Sequence, residues 1–245
     1  MISLLLVLLC INAAFSTKPT TVCSEDPGDE TADPVRGGSL KEHNQVRLDL
    51  IGGNLALSDG TKLLGSKNMF KITYDCYLEG LAMMAVAGCP SKPNLDHLPE
   101  DVSINYAITR GVEPAEVPAN ETAYYNEHIK PALAEWLDYI NEDTLDVKTT
   151  IYDAEAMEPF ANMIYKNTTK VGCVPLYCVD RKRLVVGCVY NSKPKLNEPL
   201  YDPAKGTDGC TSAPKRCGKT IKNSKCIAAG DPDAALEGLC RAPFR

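Results

Sequence analysis

Residues 160–190 constrain the fold of this chain more strongly than any other stretch. The stretch begins with apolar residues at helical spacing and then changes to two short apolar runs, 171–178 and 184–190, which are rich in Val and Tyr. The charged residues 180–183 separate the two runs. Runs of this length that are split by a polar tip are typical of antiparallel strands. Three cysteines lie on them, so the stretch predicts a helix that leads into a cystine-bearing hairpin.

The helix of this stretch and three earlier helices follow from apolar periodicity. Met157, Phe160 and Ile164 share one helical face, and Asp153 is available as the N-cap residue. The earlier helices cover about 39–51, 71–87 and a segment that ends near residue 140, with Pro131 tolerable only in a first turn. Residues 102–108 are predicted to form a strand. Interleaved helices and hairpin-connected strands predict an α+β fold with a sheet between helical layers.

The N-terminus is typical of a signal peptide. Residues 2–15 form an apolar block that is too short for a membrane span, and Ala14-Phe15-Ser16 provides small residues that signal peptidase prefers. We therefore predict a signal peptide over residues 1–16; a buried N-terminal helix is the alternative. No second apolar block of spanning length follows. The mature protein is expected to be secreted, extracellular and without a membrane span.

The cysteine count agrees with secretion. Removal of Cys10 with the signal peptide leaves ten of the eleven cysteines, and an even number in a secreted chain predicts up to five disulfides. A cysteine-based metal site is disfavoured because the chain has no Cys-x-x-Cys pair and contains only three histidines. The two sequons that begin at Asn120 and Asn167 are predicted to be glycosylation sites in that compartment.

Composition divides the mature chain into three parts. Residues 17–38 are rich in Pro, Gly, Thr and acidic residues, which predicts an extended arm tethered by Cys23. Residues 39–204 are predicted to form one domain. Residues 205–245 have few large apolar side chains, so we expect a small extension held together by its four cysteines. The net charge of −6 argues against nucleic acid or an anionic membrane as the partner.

Several motifs occur at a specific spacing. They are His43-Asn44-x-x-Arg47, Lys67-Asn68-Met69, Tyr74-Asp75-Cys76-x-Leu78-Glu79, Trp136, Phe160-Ala161-Asn162-Met163-Ile164-Tyr165, Thr168-Thr169-Lys170-x-Gly172-Cys173 and Val186-Gly187-Cys188-Val189-Tyr190. Over about residues 38–204 they resemble the CAP superfamily of cysteine-rich secretory, venom-allergen and pathogenesis-related proteins. Within this superfamily they most resemble the nematode venom-allergen-like branch. The resemblance implies a three-layer α-β-α sandwich, often with a cysteine-rich C-terminal extension, and a disulfide between Cys173 and Cys188.

The resemblance also implies a central cleft in which two histidines and two glutamates hold a divalent metal such as zinc. Here the signature histidine corresponds to Pro159, one glutamate to Tyr139 and the other to Ile104, and the second histidine falls near Lys92 or Pro93. Proline and isoleucine offer no ligand atom, and tyrosine is a rare ligand. We therefore expect a degenerate tetrad, with no metal, no cofactor and no catalytic residue.

The three histidines have ordinary structural interpretations. His43 is expected to fix the first helix against the sheet, and His128 is expected to be exposed. His97 is interpreted as a solvated loop residue rather than as a lone metal ligand beside Glu100 or Asp101. The mature cysteines are better used as cystines than as thiolates, so no nucleophilic constellation is predicted.

Proteins of this branch engage host cells or receptors. The resemblance therefore predicts a secreted, non-enzymatic protein that binds a host cell-surface or plasma protein and modulates the host response, through residues 91–119 or the cysteine-rich extension. The alternative is an extracellular sterol or fatty-acid carrier, because Ile104, Tyr139 and Pro159 make the cleft more apolar. A hydrolase that uses the cleft is the third hypothesis and has the least support.

Overall fold

The computed structural model describes residues 33–142 and 145–243 of the 245-residue chain. The predicted signal peptide and the first part of the predicted arm, up to residue 32, lie outside the described residues. Within the described residues, no helix is long and apolar enough to cross a membrane.

Six α-helices and ten strands can be named in the described part of the chain. In order they are α1 (Pro34–Ile51), β1 (Gly65–Ser66), β2 (Thr73–Tyr74), α2 (Cys76–Val86), β3 (Ser103–Arg110), α3 (Glu121–Tyr124), α4 (Lys130–Asp138), β4 (Ile151–Tyr152), α5 (Glu158–Ile164), β5 (Lys170–Cys178), β6 (Arg183–Tyr190), β7 (Glu198–Pro199), β8 (Pro203–Ala204), α6 (Lys215–Thr220), β9 (Lys225–Cys226) and β10 (Cys240–Arg241).

A four-stranded sheet in the order β2-β5-β6-β3 forms the centre of the fold. β2 runs parallel to β5, and the other pairs are antiparallel. The predicted hairpin is therefore confirmed as β5 and β6, and the predicted strand at 102–108 is confirmed as β3. In the hairpin register Cys173 lies opposite Cys188, and these two residues form a disulfide. This is the pairing that the family resemblance implies.

Side chains alternate between the two faces of the sheet because successive residues of a strand point to opposite sides. On β6, Leu184 and Val186 pack into a cluster with α1, α4 and α5, whereas Val185 and Val189 pack against α2. Gly172 of β5 lies directly beneath the α2 backbone at Glu79, and a side-chain carbon there would overlap it. The result is the expected three-layer α-β-α arrangement, with α2 on one face and α1, α4 and α5 on the other.

Helix α1 begins five residues earlier than the sequence periodicity predicts. Asp33 is its N-cap, and the carboxylate of Asp33 accepts hydrogen bonds from the backbone N–H groups of Val35 and Arg36. Pro34 occupies the first turn, where its missing N–H group costs nothing. Arg36 then forms a bidentate ion pair with Glu79 of α2, with N–O distances of 2.5 Å. The prediction of an extended arm up to residue 38 is therefore wrong for residues 34–38.

Two other helix starts also differ from prediction. The second helix begins at Cys76 rather than near residue 71, because Asp75 caps it and the preceding residues pair in the sheet as β2. Helix α5 begins at Glu158 with Met157 at the N-cap position, so Asp153 is not its cap. Pro131 lies in the first turn of α4, as expected, and a π-helical turn at Tyr125–Ile129 precedes it.

The cysteine-rich extension packs on the domain through a small core of its own. Cys210 bonds to Cys226 and Cys217 to Cys240, and three of these four residues surround Phe70. The backbone N–H of Cys240 donates to the carbonyl of Met69. In the main domain, Cys89–Cys178 ties the end of α2 to the hairpin. Cys76 is disulfide-bonded as well.

Candidate functional site

A cavity of about 880 Å³ opens at the end of the sheet where β3 and β5 begin and β6 ends. Its wall includes the first turn of α5, the loop at 191–196, and side chains from β4 and β7. Two lysines, Lys193 and Lys195, line it together with five carboxylates, which belong to Glu100, Asp101, Glu155, Glu158 and Glu198. The cavity is therefore predominantly acidic.

Burial perturbs two of the groups that line this cavity. It raises the pKa of Glu158, and the neighbouring Glu155 adds to the rise while Lys193 opposes it. Burial also raises the pKa of Tyr152 to about 12, with a further contribution from the charges of Glu158 and Glu155. A carboxyl group with a raised pKa can act as a general acid, provided that it lies within hydrogen-bond reach of the atom that it protonates.

The residues expected at the degenerate tetrad do not line this cavity, and Ile104 lies on the opposite face of the sheet from the other two. Ile104 is half-buried and packs against the α2 side of the sheet. Tyr139 is half-buried on the opposite side, in the cluster with α1, α4 and α5. Pro159 lies in the first turn of α5 on that second side. None of the three is among the residues that line the cavity.

Asn105, rather than Ile104, is the β3 residue that faces Pro159. Its amide nitrogen donates to the carbonyl oxygen of Pro159 at 2.8 Å and to the hydroxyl of Tyr190 at 3.0 Å. Its amide oxygen accepts from the amide nitrogen of Asn162 at 2.8 Å. Both ends of the Asn105 amide are thus occupied by protein groups. Asn105, Asn162 and Tyr190 do not fit zinc, since none of them supplies an imidazole or a carboxylate.

His43 extends this hydrogen-bonded network into α1. Its Nε2 atom lies 2.8 Å from the Tyr190 hydroxyl, and its Nδ1 atom lies 2.7 Å from the carbonyl oxygen of Ser39. The Tyr190 hydroxyl accepts from Asn105, so its proton is free to donate to Nε2, and Nδ1 then carries the imidazole proton. Burial lowers the pKa of His43 to about 4. The imidazole is neutral and fully hydrogen-bonded, so it is not available as a general base.

Arg47 completes the motif that His43 begins. Its side chain is fully buried and donates to four backbone carbonyl groups at 2.7–3.1 Å: those of Phe70, Met163, Tyr165 and Thr168. The side chain of Asn44 both donates to and accepts from the backbone of Ile72. The motif therefore holds α1 to the turns before β2 and β5, which is the structural role expected for its histidine.

The other candidate ligands are unsuitable as well. His97 is exposed and does not line the cavity, although Glu100 and Asp101 do. His128 is half-buried with an edge-to-face contact to Tyr124, so the expectation that it is exposed is wrong. The sulfur atoms of Cys210, Cys217 and Cys240 lie within 4.8 Å of one another, but all three belong to disulfides and cannot act as thiolate ligands.

No histidine pairs with a nucleophile in residues 33–142 and 145–243. Within these ranges no histidine is hydrogen-bonded to the hydroxyl or thiol of a serine, threonine or cysteine. The polar residues that sequence reasoning missed are Asn105 and Asn162, which sit at the centre of the network. The alternation of β3 was a usable signal, because it places Asn105 on the face opposite Ile104.

The asparagine side chains of both sequons are exposed. The side-chain oxygen of Asn120 caps α3 by accepting from the backbone N–H of Ala123, which leaves its nitrogen at the surface. Asn167 lies at the cavity, and its nitrogen donates to the Tyr165 hydroxyl at 3.0 Å. Glycosylation at these two positions stays a prediction; a glycan on Asn167 would stand at the cavity opening.

Comparison with known proteins agrees with these features. The model of the cysteine-rich secretory protein family, CAP, matches residues 40–190. The chain is 27% identical over 196 residues to an Ancylostoma secreted protein of Ancylostoma caninum, a match that covers 79% of this chain and 42% of the relative. The chain thus spans less than half the length of that relative.

Solved structures show the same fold. The crystal structure of Na-ASP-1 superposes with a TM-score of 0.68 at 26% identity, over 87% of this chain and 47% of the other. The structure of BmVAL-1 superposes with a TM-score of 0.69 at 20% identity, over 90% of this chain and all of the other.

Proposed function

The chain belongs to the cysteine-rich secretory protein (CAP) family, and from that premise we propose that it is a secreted, non-enzymatic protein that acts by binding a host cell-surface or plasma protein. One observation carries the proposal. Three positions that the resemblance assigns to metal ligands hold Ile104, Tyr139 and Pro159 instead. Ile104 and Tyr139 lie on opposite faces of the sheet, while the α-β-α fold around them is intact.

The disulfides support the extracellular part of this proposal. Four disulfide bonds join described residues, and such bonds persist mainly in oxidising compartments. The family relative from Ancylostoma caninum is described as secreted.

The loops at 91–102 and 111–119 support the binding part, because they are exposed but firmly anchored. The Cys89–Cys178 disulfide holds the chain just before the first loop. The backbone N–H of Asn94 donates to Ala85, and that of Val112 donates to Lys182. Leu95 is 56% exposed on the first loop. Exposed side chains on a rigid support are well suited to recognition, since little conformational entropy is lost on binding.

The lipid-carrier alternative receives less support from the cavity. A fatty acid would bring its carboxylate into a space that already holds five carboxylates, and repulsion between like charges disfavours that. A sterol needs a mostly apolar lining. Titration with a fluorescent sterol and a fluorescent fatty acid tests the alternative, and displacement by unlabelled lipid would favour it.

Binding of labelled protein to intact host leukocytes tests the main proposal. Saturable binding that unlabelled protein displaces is expected, and binding that rises linearly with concentration would contradict it. A matched pair of variants then tests the loop: Leu95→Ser should weaken binding, whereas Val179→Ser, at the hairpin tip and also 56% exposed, should leave it unchanged.

A further inference from the structure

The cysteine-rich extension carries a cluster of basic side chains on a chain that is acidic as a whole. Residues 205–245 contain eight Lys or Arg and four Asp or Glu, whereas the whole chain contains 26 and 32. Lys215, Lys219, Lys222 and Lys225 are all exposed. We call these four residues the basic ridge. It belongs to neither the network around Asn105 nor the acidic cavity.

Acidic neighbours do not neutralise the basic ridge. None of its four lysines forms an ion pair with any residue of the described ranges. Three of the four carboxylates of the extension are engaged elsewhere: Asp208 pairs with Lys67, Asp233 with Lys71 and Arg241, and Asp231 with Arg241. Concentrated positive charge without internal partners attracts an anionic ligand.

The disulfides hold the basic ridge in one shape. Lys215 and Lys219 are four residues apart on α6 and share a face, while Cys217 between them is fully buried and bonded to Cys240. The chain then turns back on itself. The N–H of Ser224 donates to the carbonyl of Ile221, and Lys225 precedes Cys226, which is bonded to Cys210.

Exposed, pre-positioned lysines that recur along one short segment are typical of sites for sulfated polysaccharides and nucleic acids. A protein that acts outside the cell encounters sulfated polysaccharides. An anionic membrane fits less well, because the apolar residue within the ridge, Ile221, packs inward against the cystine core rather than outward. We propose that the basic ridge binds a sulfated glycosaminoglycan. The inference rests on the proposed function for its extracellular setting alone.

Chromatography of the full chain on immobilised heparin tests this inference. The triple variant Lys219→Gln, Lys222→Gln, Lys225→Gln removes three charges from the ridge. Its control, Lys41→Gln, Lys62→Gln, Lys148→Gln, removes three exposed charges elsewhere on the chain. We expect the unmodified chain to be retained, the ridge variant to bind about tenfold more weakly with a shallower dependence on salt, and the control to match the unmodified chain.

Three results would overturn the inference. They are equal losses in the two triple variants, equal binding to desulfated heparin, and tighter binding to phosphatidylserine vesicles than to heparin. Binding of the labelled protein to leukocytes, measured with and without heparin lyase treatment of the cells, distinguishes this inference from the proposed function. If heparin binding fails while saturable cell binding persists, only the ridge assignment is wrong; loss of cell binding on untreated cells removes the proposed function itself.

Discussion

The hydroxyl group of Tyr190 lies 2.8 Å from Nε2 of His43, so the last residue of β6 is hydrogen-bonded to the middle of α1. Both side chains are fully buried. Asn105 joins the same hydroxyl from the neighbouring strand. The polar residues of the CAP motifs thus hold helix and sheet together here, and they engage both ring nitrogens of His43.

Tyr190→Phe is expected to destabilise the protein. It removes one oxygen and leaves His43 Nε2 and one Asn105 N–H without that partner inside the core. A buried polar group without a partner costs about 1–3 kcal/mol of unfolding free energy. Urea unfolding measures the loss, and Tyr77→Phe, at a 68%-exposed tyrosine, is the control. Equal losses of unfolding free energy in the two variants would show that the hydrogen bonds of the Tyr190 hydroxyl do not contribute to stability.

His43 should make stability dependent on pH. Its pKa is about 4 in the folded protein, because of burial, and about 6.5 when unfolded. As pH falls from about 6.5 to about 4, the unfolded chain takes up a proton that the folded chain does not. Stability is therefore lost in that window, by about 1.4 kcal/mol per pH unit from this group.

The pH dependence can be checked by difference. Between pH 7.5 and 4.5 the unfolding free energy of the unmodified protein should fall more steeply than that of His43→Gln, since other titrating groups are common to both. If the variant does not fold, the imidazole proton signals of His43 can be followed by NMR. A midpoint near 6.5 in the folded protein would contradict the prediction.

The sequence predicts the architecture well where its signal is local. The two apolar runs at 171–178 and 184–190, split by a charged tip, identify both strands of the hairpin, and apolar periodicity identifies α1, α2 and α5. Helix starts were less predictable, because capping competes with periodicity. Asp33 followed by Pro34 is a helix start signal that the surrounding Pro- and Gly-rich composition obscured. Pairing in the sheet likewise shortened the second helix.

The site was less predictable than the fold because it depends on which strand residue faces which helix. Resemblance placed Ile104 at a tetrad position, but the pleat directs Ile104 to α2 and Asn105 to α5. The four carbonyl groups around Arg47 come from turns far apart in sequence, and no local pattern encodes that convergence.

Arg47→Lys should be strongly destabilising although it conserves charge. The planar guanidinium donates to four carbonyl groups, whereas an ammonium group has three donors at a single point. At least one buried carbonyl loses its donor, and we expect a loss of about 2–4 kcal/mol in unfolding free energy. Arg110→Lys, at an exposed arginine, should change stability by less than about 0.5 kcal/mol. Similar losses in both variants would contradict the role of Arg47.

Two disulfides of the main domain, Cys89–Cys178 and Cys173–Cys188, should differ in their contribution to stability. Cys89 and Cys178 are 89 residues apart, whereas Cys173 and Cys188 are 15 apart. Since a longer loop loses more entropy on closure, paired Ser replacements should cost about 4–5 kcal/mol at the first bond and about 3 kcal/mol at the second. Thermal and urea unfolding of the two double variants check the order, and the reverse order would contradict the loop-entropy account.

Binding to intact host leukocytes, measured with and without EDTA, tests the central claim most directly. If the protein acts through its surface and uses no metal, binding of the labelled full chain is saturable, displaced by unlabelled protein, and the same in both conditions. Binding that is absent, or that EDTA abolishes and Zn²⁺ restores, would contradict the account.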